Sequence, residues 1–319
     1  MSEVNLTDPI FHDEDKAREH FEKLGWPDGA FCPHCGETEK VYRLDGKSHR
    51  PGLHHCNSCD QAFTITVGSV MERSHIPLTK WALGFHLMAS GKKGVSAKQL
   101  QRQLGLGSYR AAWFMAMRIR MAMTPAKTAG SLGGEGKVLE SDETFVGGKA
   151  KTAHANKPIP RKHAVHALVE RGGRVRAKHV ADVTAKTLGE VLTAQADKKS
   201  ALHTDDSLAN LSVGKSFAAH RTVAHTLGEY VTKDGLAHTQ TVESFFAILK
   251  RGVMGSFHSV SEQHLQPYVD EFAFRWNARS SLGIEDTERA ALAIKGAAGK
   301  RLTYRQPDRT KATDNQTQG

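Results

Sequence analysis

HTQTVESFFAILKRGVMGSFHSVSEQHLQPYVDEFAFRWN, residues 238–277, is the stretch from which the rest of the chain is read. Its first half has helical spacing: Val242, Phe245, Ile248 and Leu249 form one apolar stripe. Glu243, Ala247 and Lys250, at i, i+4 and i+7, share another face. That face offers a carboxylate, a small residue and, one turn on, a cation. An anionic ligand can come close there, the carboxylate holding a metal and the lysine meeting a phosphate. A plain solvated face on an amphipathic helix would look the same. The segments upstream decide between the two.

Moving back along the chain, VLESDETFVGG (138–148) is strand-like and holds Asp142. HAVHALVE and RVRAKHVADV read as two strands around an RGG turn, preceded by a basic loop, GKAKTAHANKPIPRK. TAKTLGEVLTAQ is a helix with Leu188, Val191 and Leu192 as its apolar positions. SALHTDDS is a short strand ending in Asp205 and Asp206, and RTVAH a further strand. Three strands, a helix, a strand and later helices describe an α/β domain of the ribonuclease-H-like kind over 138–296: a mixed sheet with flanking helices. In such a sheet the first and fourth strands are central neighbours. Asp142 and Asp205 can then converge, and the following helix can add Glu243.

Three acids held close repel one another unless a cation neutralises them. Hard oxygen ligands suit Mg²⁺ or Mn²⁺. Two such ions ~3.5–4 Å apart can activate an attacking oxygen and stabilise a leaving one at phosphorus. The competing reading is three unrelated surface acids out of 34. Glu143 and Asp206 are neighbours of the proposed ligands, and strand alternation points each of them the other way.

The N-terminal third carries different chemistry. Residues 13–24, DEDKAREHFEKL, form a short charged helix, broken by Trp26, Pro27 and Gly29. Cys32-x2-Cys35 and Cys56-x2-Cys59 are separated by twenty residues. Two such knuckles match a four-thiolate Zn²⁺ site, a zinc ribbon, within residues 1–66. A pair of redox dithiols or of disulfides is the alternative. His34, His54 and His55 stand nearby as substitute ligands. Over 67–123, Thr79 can cap a helix bearing Trp81, Phe85 and Met88. Ser96 with Gln99 makes a capping box, Leu100 and Leu104 are apolar positions, Gly105 and Gly107 flank a turn, and Ser108 opens a second helix. That is a helix-turn-helix. Residues 91–120 hold seven Lys or Arg and no acid, which favours phosphate contact by Lys92, Lys93, Lys98, Arg102 and Arg110. Tyr109 and Arg110 start the second helix, where base edges would be met. A helical hairpin with a basic solvated face is the alternative.

Residues 124–137 read as a linker, and 297–319 as a disordered basic tail. The whole chain of 319 residues has 44 Lys plus Arg against 34 Asp plus Glu, a net charge of +10 and a pI near 9.4. Nucleic acid is the partner such a balance most often serves. No apolar run approaches the ~20 residues of a membrane span. MSEVNLTDPIFHDEDK lacks the basic and apolar regions of a secretory signal, so the expected location is the cytoplasm.

LESDETFVGGK, LHTDDS and the 238–279 block resemble the three catalytic blocks of the ISXO-type insertion-sequence transposases, DDE enzymes with an N-terminal zinc ribbon. FCPHCGE…CNSCDQAFTITVGSVMERSHIPLTKW and the helix-turn-helix resemble the same family, so the likeness covers roughly 15–280. The last block is the most specific, because HT-x-x-x-E, KRG and F-x-x-R-x-N recur in order. The resemblance implies a DNA transposase that binds element ends as a homo-oligomer, cleaves the strand with water and joins the 3′ end to target DNA. Asp142, Asp205 and Glu243 would hold Mg²⁺ or Mn²⁺, Lys250 and Arg251 would lie near DNA, and Arg275 and Asn277 would seat the last helix against the active-site helix. Asp206-Ser207-Leu208-Ala209-Asn210 lacks the Gly and Tyr expected after the second aspartate, and Pro267 interrupts the last helix. A DNA-binding regulator without catalysis and a nuclease without strand transfer are the alternatives.

Overall fold

The computed structural model describes residues 5–126, 130–147, 162–224, 231–232 and 235–302. The basic loop at 148–161 and the tail from 303 lie outside them.

The fold has two hydrophobic centres. The first begins with helix α1 (Glu14–Gly25), capped by Asp13. A small antiparallel sheet follows, β1 (Val41–Arg43), β2 (His54–Cys56) and β3 (Gln61–Phe63). Then come α2 (Leu78–Ser90), α3 (Ala97–Gln103) and α4 (Tyr109–Met123). Ser96 and Ser108 cap α3 and α4 through their hydroxyls, as the sequence predicts. Thr79 does not cap α2. The helix starts two residues earlier, with Pro77 in the cap position, and the Glu14 carboxylate accepts from Leu78 N (2.7 Å) and Thr79 N (3.2 Å). An acid from α1 thus does the work expected of a local hydroxyl. Trp81, Phe85, Met88, Leu100, Leu104, Met115 and Ile119 fill this core.

The second centre is a five-stranded sheet. Strands β4 (Val138–Val146), β5 (His163–Glu170), β6 (Val175–Val180), β7 (Ala201–Asp205) and β8 (Ala219–Val223) lie in the order β6-β5-β4-β7-β8. β4–β5 and β5–β6 are antiparallel; β4–β7 and β7–β8 are parallel. This is the mixed ribonuclease-H-like arrangement the strand pattern predicts. The alternation of β4 splits the core in two. Leu139 joins Leu168, Leu192 and Leu202 on the side of α5 (Ala185–Gln195). Val146 joins α7 (Gln240–Gly252) and α8 (Glu262–Asn277) on the other. Helix α6 (Leu208–Gly214) follows β7 directly.

Several segments sit elsewhere than the sequence suggests. Helix α9 (Asp286–Lys295) packs into the N-terminal core through Ala290, Ala293 and Ile294. Residues 297–302, read as the start of a disordered tail, are packed too. Val70 N donates to Ala297 O (3.1 Å), Gly299 N to Gly68 O (2.8 Å), and the Lys300 ammonium to the carbonyls of Ala122 and Thr124. Small residues at 297–299 permit this close pairing. Leu132, in the stretch read as a linker, is buried with Leu139 and Leu202. Among the described residues no helix is long and apolar enough to cross a membrane.

Candidate active site

The site forms where β4 and β7 run side by side. Glu140 is opposite His203 in their parallel register. Asp142 and Asp205 lie two residues further along each of these neighbouring strands, past the last paired residues. Alternation sets them on the face carrying α7. Helix α7 brings Glu243 in its first turn. Its apolar stripe is Val242, Phe245, Phe246 and Leu249; Phe246 replaces the expected Ile248, which is half-buried. Glu243 is half-buried while Ala247 and Lys250 are exposed, so the predicted polar face is real.

The start of α7 is held by a residue that the sequence does not single out. Glu140 is fully buried. Its carboxylate accepts from Thr241 N (2.8 Å), Thr241 Oγ1 (2.8 Å) and Val242 N (3.2 Å) at the helix N-terminus. Arg171 Nε donates to it at 2.9 Å, and the same guanidinium donates to the His238 carbonyl. The His238 ring lies 3.3 Å from Glu140. A carboxylate here answers the orphan amides and positive end of α7, and so aims Glu243 at the sheet. Thr239 Oγ1 donates to Glu243 Oε1 at 3.0 Å. The one sequence signal is an acid two residues before Asp142, on the same strand face. Beside it, burial and the Arg171 charge hold the His203 ring down at about 4.

Asp205 is the more enclosed of the two neighbouring aspartates. Its Oδ1 accepts from Asn210 Nδ2 (2.7 Å) and Ser207 N (3.1 Å), while Asp206 is exposed. Asn210, in the stretch that departs from the family pattern, is fully buried and orients this aspartate. Glu143 is not a bystander. Burial first, then the charges of Asp142 and Asp205, push its carboxyl up to about 7. Its Oε1 is buried with no hydrogen-bond partner. Carboxylate oxygens are the hard donors a divalent cation takes, but Asp142, Glu143 and Asp205 are not gathered within 4.8 Å of one another. The three proposed ligands are not all drawn to one point. Among the described residues, the ligand groups gathered within 4.8 Å are the four cysteines and His163, His179 and Glu262.

The cysteines meet the geometry of zinc closely. Cys32 and Cys59 sulfurs are 3.5 Å apart and Cys35 and Cys56 sulfurs 3.6 Å, near the ~3.8 Å edge of a tetrahedron with ~2.3 Å Zn–S bonds. Left to themselves the thiols cannot all ionise: burial and the other sulfurs push Cys59 up to about 12. A dication removes that conflict. His54 is no ligand; it stacks on Phe63 (5.7 Å) and meets Trp26 edge-on (5.0 Å).

The basic residues divide. Lys92, Lys93, Lys98, Arg102, Tyr109 and Arg110 are exposed, as are Lys250 and Arg251. Lys98, Arg102 and Tyr109 line one groove of about 530 Å³ with Trp113, His258 and His264. The backbones at Lys93 and at the end of α7 come close: a Cβ on Gly252 would stand 2.8 Å from the Lys93 carbonyl and strike Phe272. Arg118 and Arg120 do not belong to the exposed set. Arg118 donates to Glu72 O, and Arg120 is buried with Glu271. Arg275 and Asn277 also act differently from expectation. Arg275 pairs with Glu271 and donates to Met88 O. Asn277 brackets Val175 of β6, accepting from its N (2.7 Å) and donating to its O (3.0 Å). They seat α8 on α2 and on the sheet rather than on α7. Pro267 lies in the second turn of α8, and the helix runs through it.

Comparison with known proteins gives the same reading. Residues 132–277 match the ISXO2-like transposase domain, and residues 12–62 the transposase zinc-ribbon domain. A protein in transposable element ISH50 of Halobacterium salinarum is 27% identical over 284 residues, covering 83% of this chain and 91% of that one. Among solved structures, a chain of a simian T-cell lymphotropic virus intasome in complex with the PP2A regulatory subunit B56 gamma aligns at 13% identity and a TM-score of 0.27. That alignment spans 55% of this chain and 63% of the other, too loose a likeness to place any residue. The four clustered cysteines are a zinc ribbon, and a DDE domain implies a divalent ion such as Mg²⁺. The chain thus carries an ISXO2-like transposase domain over residues 132–277 and a transposase zinc ribbon over residues 12–62.

Proposed function

We propose that the protein binds the double-stranded ends of a mobile element, cleaves them and transfers the strand to target DNA, acting as a homo-oligomer on DNA. The observation that supports this reading is the parallel pairing of β4 with β7, which makes the strands of Asp142 and Asp205 neighbours, with Glu243 in the first turn of α7. Asp142, Asp205 and Glu243 would hold the divalent ions, with Glu143 beside them. Once bound, such ions activate the attacking oxygen and stabilise the leaving one. The chain's own part is positioning. Asn210 orients Asp205, and Glu140 aims the helix that bears Glu243. Lys98, Arg102, Tyr109 and Arg110 grip duplex DNA, while Lys92, Lys93, Lys250 and Arg251 carry it toward the carboxylates.

The test is strand joining between labelled element-end oligonucleotides and a plasmid, in Mg²⁺ or Mn²⁺. Asp142→Asn, Asp205→Asn and Glu243→Gln should each lower cleavage and joining by several orders of magnitude while end binding survives. Asp206→Asn should stay active. Joining at the wild-type rate by all three triad variants refutes the carboxylate mechanism. Cleavage without joining by the wild type makes the protein a nuclease.

A further inference from the structure

The far corner of the same sheet carries chemistry that the carboxylate site does not use. We propose that His163, His179 and Glu262 form a second metal site, taking a borderline divalent transition-metal ion such as Zn²⁺. Their ligand atoms all lie within 4.8 Å of one another. Three separate elements supply them. His163 is the first residue of β5, His179 lies in β6, and Glu262 is the first residue of α8. His179 is paired with Val165, two residues from His163, so alternation puts both rings on the face that carries α8.

The spacing fits an ion better than a direct contact. His163 Nδ1 is 3.7 Å from one Glu262 oxygen and His179 Nε2 is 4.0 Å from the other. Both exceed the ~2.7–3.2 Å of a hydrogen bond. Donor atoms ~2.0–2.2 Å from a tetrahedral ion stand roughly 3.4 Å apart, so a set within 4.8 Å closes on an ion by side-chain adjustment alone. The histidine rings meet edge-on with centroids 5.9 Å apart, which lets two nitrogens point at one position without stacking. The scaffold is already fixed. Gln266 of α8 accepts from His179 N at 2.7 Å and donates to Ala177 O at 3.2 Å. Two imidazoles and one carboxylate favour Zn²⁺, Ni²⁺ or Co²⁺ over Mg²⁺, which prefers oxygens. Glu262 is 60% exposed, so an ion can enter.

This site is distinct from the DDE carboxylates. His163 is paired with Val146, four residues along β4 from Asp142, which is roughly 13 Å of strand. An ion there would staple the first turn of α8 to β5 and β6.

Calorimetric titration of Zn²⁺ into the full-length protein, with its ribbon zinc in place and no Mg²⁺, tests the proposal. In the Asp142→Asn/Glu243→Gln background, which disables the carboxylate site, one further equivalent should bind. It should be lost in His163→Ala/His179→Ala and weakened at least tenfold in Glu262→Gln, a surface change that leaves the fold alone. Co²⁺ in place of Zn²⁺ should give the visible absorption of a nitrogen–oxygen site without thiolate charge transfer. The proposal is overturned if the wild type takes up no further equivalent. It also fails if the double histidine variant, folded by circular dichroism, still binds it. Loss of the equivalent with the Asp142→Asn/Glu243→Gln variant would assign it to the carboxylates instead.

Discussion

Two fully buried glutamates hold this molecule together in different ways. Glu140, on β4, is surrounded by the amides at the start of α7, the Thr241 hydroxyl and the guanidinium of Arg171, which is about a third exposed. Glu271, on α8, lies between Arg120 of α4 and Arg275 of its own helix, with Arg120 3.8 Å over the Tyr268 ring. Burial opposes the Glu271 charge, but Arg120 and Arg275 outweigh it and hold the carboxyl below its usual range. The first glutamate meets directional dipoles, so it fixes where a helix points. The second sits among whole charges, two positive to one negative, so it fixes whether two units stay joined. The Tyr268 and Phe257 rings help to offset the excess charge.

The largest expected effect breaks the second of these. Glu271→Ala would leave two guanidiniums buried without a counter-charge, and should destabilise the protein by about 3–5 kcal/mol. Denaturant unfolding measures it. Arg120→Met together with Glu271→Leu should recover only part of that loss, because it removes one of the two uncompensated guanidiniums and leaves Arg275. Equal instability of the single and double variants would contradict a charge-pairing role.

Acid should separate the two halves next. His166 is fully buried in β5, its Nε2 2.8 Å from Ser141 Oγ, and burial holds the ring down at about 4. Its pKa is depressed below the ordinary value of about 6.5, so its stabilisation is present above about pH 6.5 and lost as pH falls toward 4. By linkage the loss reaches up to about 3 kcal/mol. The Glu271 pairing is an acid held low, so it is lost only below about pH 4.5. The sheet should therefore weaken first on acidification. Thermal unfolding of wild type and His166→Gln between about pH 7 and 4 checks this: the variant should lose less over that range. Parallel pH curves would show that His166 is not the group responsible.

Glu140→Gln should cost less, about 1–3 kcal/mol, since an amide oxygen still accepts from the start of α7. Its signature is in function. Strand joining should fall while element-end binding, salt dependence and ribbon zinc stay unchanged. Loss of end binding together with joining would mean that Glu140 holds more than α7.

Much of this is legible in the sequence, for identifiable reasons. The cysteine spacing dictates a metal geometry, so the ribbon can be read directly. The order of strands and helix dictates that β4 and β7 are neighbours, which brings Asp142 and Asp205 together. Glu140 stays hidden because an acid inside a strand looks like any half-exposed residue until the helix it caps is placed above it. Arg118 and Arg120 look solvent-facing because charge in a basic helix usually is. Only the acid 151 residues later, Glu271, shows where Arg120 goes. Adjacency in the chain puts α9 with the catalytic unit, and its small apolar face gives no sign that it packs against α2. Partners that meet only across the fold leave no local signature.

The smallest effect per residue, and the sharpest check on which arginines belong to which job, is the salt dependence of DNA binding. Residues 91–120 carry seven basic side chains, but Arg118 and Arg120 face inward. The remaining five, with Lys250 and Arg251, are exposed. Each phosphate left without its cation should lower the slope of log K against log salt by roughly 0.9. Lys92→Ala/Lys93→Ala should therefore flatten the slope by up to about 1.8, and Lys250→Ala/Arg251→Ala by a similar amount, because each pair removes two exposed cations. Arg120→Met with Glu271→Leu should leave the slope at its wild-type value, since neither residue meets solvent. Fluorescence anisotropy on an element-end duplex across a salt series measures all three. A flattened slope in the Arg120 variant would move that residue from the junction to the DNA surface. Unchanged slopes in both lysine and arginine surface variants would place the duplex elsewhere, along the groove of Lys98, Arg102 and Tyr109.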